Sequence, residues 1–139
     1  MRQFKSFTEL TEDFARREGT ALEFTGPEGS VCSVSYKELA DMIFRRAEEL
    51  RRQGSGTDIV CTSIDVGSVV EVFASAVACR CILMSDSRMP DKVLAEAAAA
   101  ADRLICNVTE HAGDGEMLFF TSGTTNRSKV VRLTSRTMC

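Results

Sequence analysis

The stretch Met117-Leu118-Phe119-Phe120-Thr121-Ser122-Gly123-Thr124-Thr125-Asn126-Arg127-Ser128-Lys129-Val130-Val131 changes character twice. Residues 117–120 are apolar and uncharged, which reads as a buried strand. Residues 121–126 are polar and rich in hydroxyls around one glycine, which reads as a tight loop. Lys129 then leads into Val130-Val131-Arg132-Leu133, a second strand. A small loop between two strands can turn backbone N–H groups and hydroxyls toward one point. Such a cluster is an anion cradle, and a lysine beside it adds a full positive charge. The plainer reading is a hairpin whose serine and threonines only cap turns. The unbroken run of hydroxyl and glycine positions, followed by Arg127 and Lys129, favours the cradle. A P-loop is excluded. Counting from Gly123, Ser128 stands where its second glycine belongs and Val130 where its Mg-binding hydroxyl belongs. A P-loop also opens a helix, whereas β-branched apolar residues follow here.

Upstream of the loop the pattern is dense. Residues 59–64 read as a strand, 68–79 as a helix of small apolar residues, and 81–84 as a strand. Pro90 opens an alanine-rich helix to about Ala101, and residues 103–107 read as a third strand. This β-α-β-α-β order implies a parallel sheet with right-handed crossovers. Residues 109–116 are a polar connection into the loop. Asp65-Val66-Gly67-Ser68, after the first strand, lacks the Gly-x-Gly-x-x-Gly of a dinucleotide site, so neither NAD nor FAD is expected.

The N-terminal third reads as a helix and a hairpin. Ser6-Phe7-Thr8-Glu9 has the form of a capping box, and Phe7, Leu10 and Phe14 recur at helical spacing to about Glu18, before Gly19. Residues 21–24 and 31–34 flank Thr25-Gly26-Pro27-Glu28-Gly29 as a hairpin. Ser35-Tyr36-Lys37-Glu38 is a second capping box. Leu39, Ile43, Ala47 and Leu50 form the apolar stripe of the helix that follows. Arg45, Arg46, Glu48, Glu49, Arg51 and Arg52 surround that stripe and read as a solvated face, ended by Gly54-Ser55-Gly56. The expected fold class is α/β: a β-α-β-α-β parallel sheet preceded by a helix and a β-hairpin.

Composition narrows the function classes. The chain of 139 residues is long enough for one domain with a core, and 44% hydrophobic with 27% charged residues is the balance of a soluble protein. A net charge of -3 with dispersed Lys and Arg points away from nucleic acid and anionic membranes as partners. No apolar run approaches membrane-spanning length and Met1-Arg2-Gln3-Phe4-Lys5 opens no signal region, so a cytoplasmic location is expected. The 6 cysteines form no Cys-x-x-Cys pair, and His111 has no cysteine at zinc-site spacing. Free thiols are expected, with Cys61, Cys81 and Cys106 as small core residues. His111, in a Gly/Asp loop, reads as a surface residue.

Phe120-Thr121-Ser122-Gly123-Thr124-Thr125 followed by Lys129 resembles the signature loop of the adenylate-forming superfamily of acyl-CoA synthetases, peptide-synthetase adenylation domains and luciferases. Val34-Ser35-Tyr36-Lys37-Glu38-Leu39-Ala40 is similar to that superfamily's early tyrosine-x-glutamate-leucine helix start, and Asp86-Ser87-Arg88-Met89-Pro90 to its Asp-Pro-x-x-Pro segment. The matches stand in the family's order and span most of the chain. Within the loop, Asn126, Ser128 and Val130 replace Gly, Pro and Gly, and Arg80 stands where relatives often carry glycine. Asn tolerates a left-handed backbone, Ser for Pro loosens the free loop, and Val130 sets a branched side chain beside the lysine.

The resemblance implies a two-step reaction. A carboxylic acid attacks the α-phosphate of ATP to give an acyl-adenylate and pyrophosphate, and a thiol such as coenzyme A takes the acyl group. It implies that Thr121, Ser122, Gly123, Thr124 and Thr125 contact phosphates, that Lys129 holds the loop or neutralises pyrophosphate, and that Mg2+ comes with the nucleotide. It makes residues 1–139 one partial domain, the N-terminal part of an AMP-binding domain. The adenine pocket, ribose-binding aspartate, acid pocket and mobile C-terminal lysine domain follow later in such enzymes. No catalytic residue is therefore assigned, the isolated chain is expected to be inactive, and exposed apolar surface is expected where the missing part would pack. Two other readings stay open: a stand-alone nucleotide- or phosphate-binding module, and an interaction protein in which the resemblance is idle.

Overall fold

The computed structural model describes residues 3–54, 57–61, 65–85, 90–106, 116–121 and 129–134. The first helix, α1 (Phe7–Arg16), begins where the hydroxyl pattern placed it: the Ser6 side chain accepts from the Glu9 N–H at 3.1 Å. The Glu9 carboxylate reaches past Ser6 and accepts from the Lys5 N–H at 2.8 Å. After Arg17 the chain is extended, and Gly19, at φ 97°, turns it into β1 (Thr20–Thr25). A hairpin returns it as β2 (Val31–Ser35), antiparallel to β1. Ser35 then caps α2 (Tyr36–Arg52) with a complete capping box, in which Glu38 accepts from the Ser35 N–H at 2.8 Å. That bond holds the Glu38 carboxyl below its ordinary pKa.

Three helices share one core. Leu39, Ile43, Ala47 and Leu50 of α2 are buried as the apolar stripe required, and pack with Val70, Ala74 and Val77 of α3 (Val66–Val77). An aromatic cluster ties in α1: Phe7 meets Phe73 edge-on with centroids 5.5 Å apart, and Phe14 lies 5.5 Å from Tyr36. The charges around α2 divide. Arg45 stays exposed. Arg46 crosses to Glu71 of α3 at 2.5 Å, and Arg51 donates to the Val77 carbonyl at 3.2 Å.

The main sheet has four strands in the order β3 (Thr57–Cys61), β4 (Cys81–Ser85), β5 (Glu116–Thr121), β6 (Lys129–Thr134). The first three are parallel, and β6 returns antiparallel to β5. Side chains alternate along β4. Ile82 joins the helical core, while Leu83, equally buried, serves the other face.

One expectation is corrected. Residues 103–106 are not the third parallel strand; they are the last turn of α4 (Asp91–Cys106), and position 107 lies outside the described residues. The reason is legible. Leu94, Ala97, Ala101, Leu104 and Ile105 keep helical spacing, and neither Gly nor Pro interrupts residues 91–106. A short apolar run at the end of a helix has the same composition as a buried strand. The third parallel strand is β5 instead, so the strand that leads into the hydroxyl-rich loop is also the one that completes the β-α-β-α-β unit.

Candidate functional site

Parallel pairing fixes where the loop emerges. Cys61 pairs with Ser85 at the ends of β3 and β4, and Met84 pairs with Phe119 near the end of β5. The chain therefore leaves the sheet at Cys61, Ser85 and Thr121 along one edge, the C-terminal edge of the parallel strands. In open α/β sheets that edge is where ligands bind. The segment after Ser85 is Asp86-Ser87-Arg88-Met89, so two of the motifs singled out in the sequence start from the same edge.

Thr121 and Lys129 are direct partners across the last rung of the β5–β6 ladder. Opposed residues of an antiparallel pair have Cα atoms about 5 Å apart. The register thus sets the two ends of the hydroxyl-rich stretch side by side, Lys129 opposite Thr121. Of the residues expected to contact phosphate, Thr121 and Lys129 are brought together, while Ser122, Gly123, Thr124 and Thr125 lie outside the described residues. Val130, one place after Lys129, continues β6, which is incompatible with the helix that a P-loop would open.

The third motif has a different role. In Tyr36-Lys37-Glu38-Leu39, Tyr36 packs on Phe14, Glu38 completes the cap and Leu39 is 3% exposed in the core. These residues build the fold.

Sequence reasoning weighed Asp65 only as part of a stretch that lacks a dinucleotide motif, and it passed over Ser85. Asp65 caps α3, its Oδ1 accepting from the Ser68 N–H at 2.7 Å. A carboxylate thus sits where a dinucleotide's pyrophosphate would meet a helix N-terminus, and would repel it. An Asp three residues ahead of a Ser at a helix start was the available signal. Ser85 is buried, and its hydroxyl donates to the Val60 carbonyl at 3.4 Å, tying β4 to β3 at the same edge.

The opposite edge holds the departure at Arg80. Its guanidinium grips Asp58 through two bonds, Nε to Oδ2 at 2.6 Å and Nη2 to Oδ1 at 2.7 Å, and also donates to the Gly54 carbonyl. Arg80 is 7% exposed, and the bonds to Asp58 hold it still more firmly protonated than an ordinary arginine. Of the cysteines, Cys81 is a buried free thiol as expected, whereas Cys32 and Cys79 are free and exposed. Cys61 lies in β3 and Cys106 in α4. His111 lies outside the described residues. Among the described residues no group of side chains could hold a metal ion, and no helix is long and apolar enough to cross a membrane.

This chain carries the fold of the N-terminal portion of adenylate-forming enzymes, as the sequence motifs implied. It superposes on the Klebsiella oxytoca NpsA N-terminal subdomain in complex with anthranilyl-AMSN, with TM-score 0.69 and 18% identity, covering 96% of this chain and 42% of that one. It is similar to the O-succinylbenzoate coenzyme A synthetase MenE from Bacillus subtilis, in complex with AMP, with TM-score 0.60 and 18% identity, covering 87% and 40%. A third likeness is to McyG A-PCP complexed with phenylalanyl-adenylate, with TM-score 0.59 and 12% identity, covering 97% and 33%. The chain thus spans two-fifths or less of the length of MenE and McyG A-PCP, and 42% of the NpsA subdomain. No family model and no curated protein sequence matches it.

Proposed function

We propose that this chain is the N-terminal part of an ATP-dependent, AMP-forming ligase that activates a carboxylic acid as its acyl-adenylate for transfer to a thiol, coenzyme A among the candidates. The observation that carries the reading is the Thr121–Lys129 rung. It brings Thr121 and Lys129, the two ends of the hydroxyl-rich stretch, together at the C-terminal edge of the parallel strands, on a fold shared with proteins solved with AMP, an acyl-AMSN or an adenylate. The chemistry of the donor set suits a polyphosphate. Hydroxyls and N–H groups from Thr121, Ser122, Gly123, Thr124 and Thr125 can donate to phosphate oxygens, and Lys129 supplies charge. As pyrophosphate leaves, negative charge grows on its oxygens, and donors already in place can lower the barrier by several kcal/mol. Mg2+ fits the same scheme as a passenger on the phosphates, since such sites use few protein carboxylates.

The acid pocket and the remainder of the nucleotide site would come from chain beyond these residues. Two measurements test the reading. Calorimetric titration of the chain with ATP and with pyrophosphate should show weak, saturable binding, lowered about tenfold by Lys129→Ala through loss of one charge-assisted contact. Acid-dependent pyrophosphate release should be absent from the 139-residue chain and should appear when it is joined to the later segments of an adenylate-forming enzyme. Acyl transfer by the short chain alone would refute its incompleteness. ATP binding indifferent to Lys129→Ala would refute the loop assignment.

A further inference from the structure

Among the described residues β2 pairs on one side only, with β1, and its other edge can be read rung by rung. The Gly26 N–H donates to the Ser30 carbonyl at 2.7 Å, and the same register sets Thr25 opposite Val31, Phe24 opposite Cys32, Glu23 opposite Ser33 and Leu22 opposite Val34. Hydrogen-bonded and non-hydrogen-bonded pairs alternate along an antiparallel ladder. Cys32 and Val34 therefore turn their backbone groups to β1, whereas Val31 and Ser33 turn theirs outward. Ser35 continues the alternation, and its N–H is taken by the Glu38 carboxylate of α2 at 2.8 Å. Among the described residues nothing takes the outward N–H and C=O groups of Val31 and Ser33.

That open edge faces a wall. A groove of about 290 Å3 between β2 and α2 is lined by Ser33, Val34, Glu38, Asp41, Met42 and Arg45. Consecutive strand residues point to opposite faces, so a groove that touches both Ser33 and Val34 runs along the edge of β2 and not over one face. Across the gap stands α2, with Met42 37% exposed, and Glu38 closes one end at the Ser35 N–H. The strand reads Val-Cys-Ser-Val-Ser, with neither a charge nor a proline to blunt its edge. An open strand edge offers an extended peptide its main-chain bonds, and pockets beside it select alternate side chains.

The charges on the wall choose the occupant. Asp41 and Arg45 are exposed and stand four apart on α2, yet among the described residues neither side chain makes an ion pair or a hydrogen bond. They lie about 6 Å apart along the helix, and alternate side chains of an extended chain are about 6.8 Å apart. A basic and an acidic side chain two places apart on an added strand can therefore meet both, with their apolar stems against Met42. We propose that the edge of β2 takes a peptide segment of a partner protein as a third strand of the hairpin, a segment carrying such a basic–x–acidic pair. Backbone bonds to Val31 and Ser33 hold it, and Asp41 and Arg45 select it. The site stands apart from the nucleotide reading. So short a contact is transient, with a dissociation constant on the order of 100 µM.

A fluorescein-labelled peptide of sequence Thr-Lys-Val-Glu-Thr, titrated with the purified chain and read by fluorescence polarisation, tests it. Binding should saturate. Ser33→Pro should abolish it and leave the hairpin folded, because proline is tolerated where the N–H points away from the ladder. Asp41→Ala and Arg45→Ala should each weaken binding about threefold by removing one exposed ion pair. An added strand bonds through alternate residues. N-methylation of the peptide's valine, or of its lysine and glutamate together, should therefore block binding in one case and spare it in the other. That arm needs no protein variant, so it decides the matter even if Ser33→Pro fails to fold. Absence of saturable binding, binding indifferent to Ser33→Pro or to both charge removals, or N-methylated peptides that behave alike would each overturn the proposal. So would a chain that pairs with a second copy through this edge in place of the peptide.

Discussion

The two ends of the main sheet are made of different materials. Where the parallel strands begin, polar groups are buried and matched: Arg80 links Asp58 at the start of β3 to the Gly54 carbonyl after α2, one residue ahead of β4. Where they finish, the chain runs out at Cys61, Ser85 and Thr121 into segments rich in Ser, Thr and Asp. A buried, bidentate ion pair fixes geometry and offers nothing to a ligand. A row of hydroxyls and one lysine offers donors to a ligand. On the proposed function, stability and ligand binding would sit at opposite ends of the same strands, so substitutions should separate them.

The largest effect should come from breaking the buried end. Asp58→Ala would leave the Arg80 guanidinium desolvated and unpaired, and removing one member of a buried pair typically costs 3–5 kcal/mol. The side chains of Arg80 and Asp58 retain 8% and 18% exposure, which sets the expectation near the low end, about 3 kcal/mol by urea unfolding. Replacing both together, Asp58→Leu with Arg80→Met, should cost far less, because no charge is stranded. At the other end, Lys129→Ala should weaken ATP binding as stated above while changing unfolding free energy by no more than about 0.5 kcal/mol. If Lys129→Ala unfolded the chain, or Asp58→Ala left stability untouched, the division between the two ends would fail.

Much of this was legible because local signals agreed with the global pattern. Ser6 and Ser35 both cap the helices that their hydroxyls announced, and the hairpin and both strands around the loop lie where alternation and apolar runs placed them. Residues 103–106 were misread because Leu104-Ile105-Cys106 is too short for periodicity to separate helix from strand. The ion pair between Asp58 and Arg80 was hidden for another reason. Its members lie 22 residues apart, and only the parallel register brings them together. In the candidate site, sequence alone could name the hydroxyls and the lysine. It could not supply the rung that joins Thr121 to Lys129, since that depends on the pairing of β5 with β6.

The smallest effect considered lies at the buried end, in the turn from α3 to β4. Cys79 has φ 58°, in the left-handed region that favours glycine. The bonds around it form a Schellman closure: the Arg80 N–H donates to the Ser75 carbonyl at 2.9 Å and the Cys79 N–H to the Ala76 carbonyl at 3.0 Å. The turn that aims Arg80 at Asp58 is thus held against a backbone preference by its own hydrogen bonds. Cys79 is exposed, and its thiol makes only a 4.0 Å approach to the Val77 carbonyl, so removing the side chain forfeits little. Cys79→Gly relieves the left-handed penalty but gives the unfolded chain more freedom. The balance should favour the folded state by about 0.5–1 kcal/mol, a rise of about 3 °C in the unfolding midpoint. A fall in midpoint would mean that the cysteine side chain does more for this turn than its contacts show. An unchanged affinity for ATP should accompany the gain, since the turn and the loop stand at opposite ends of β4 and β5.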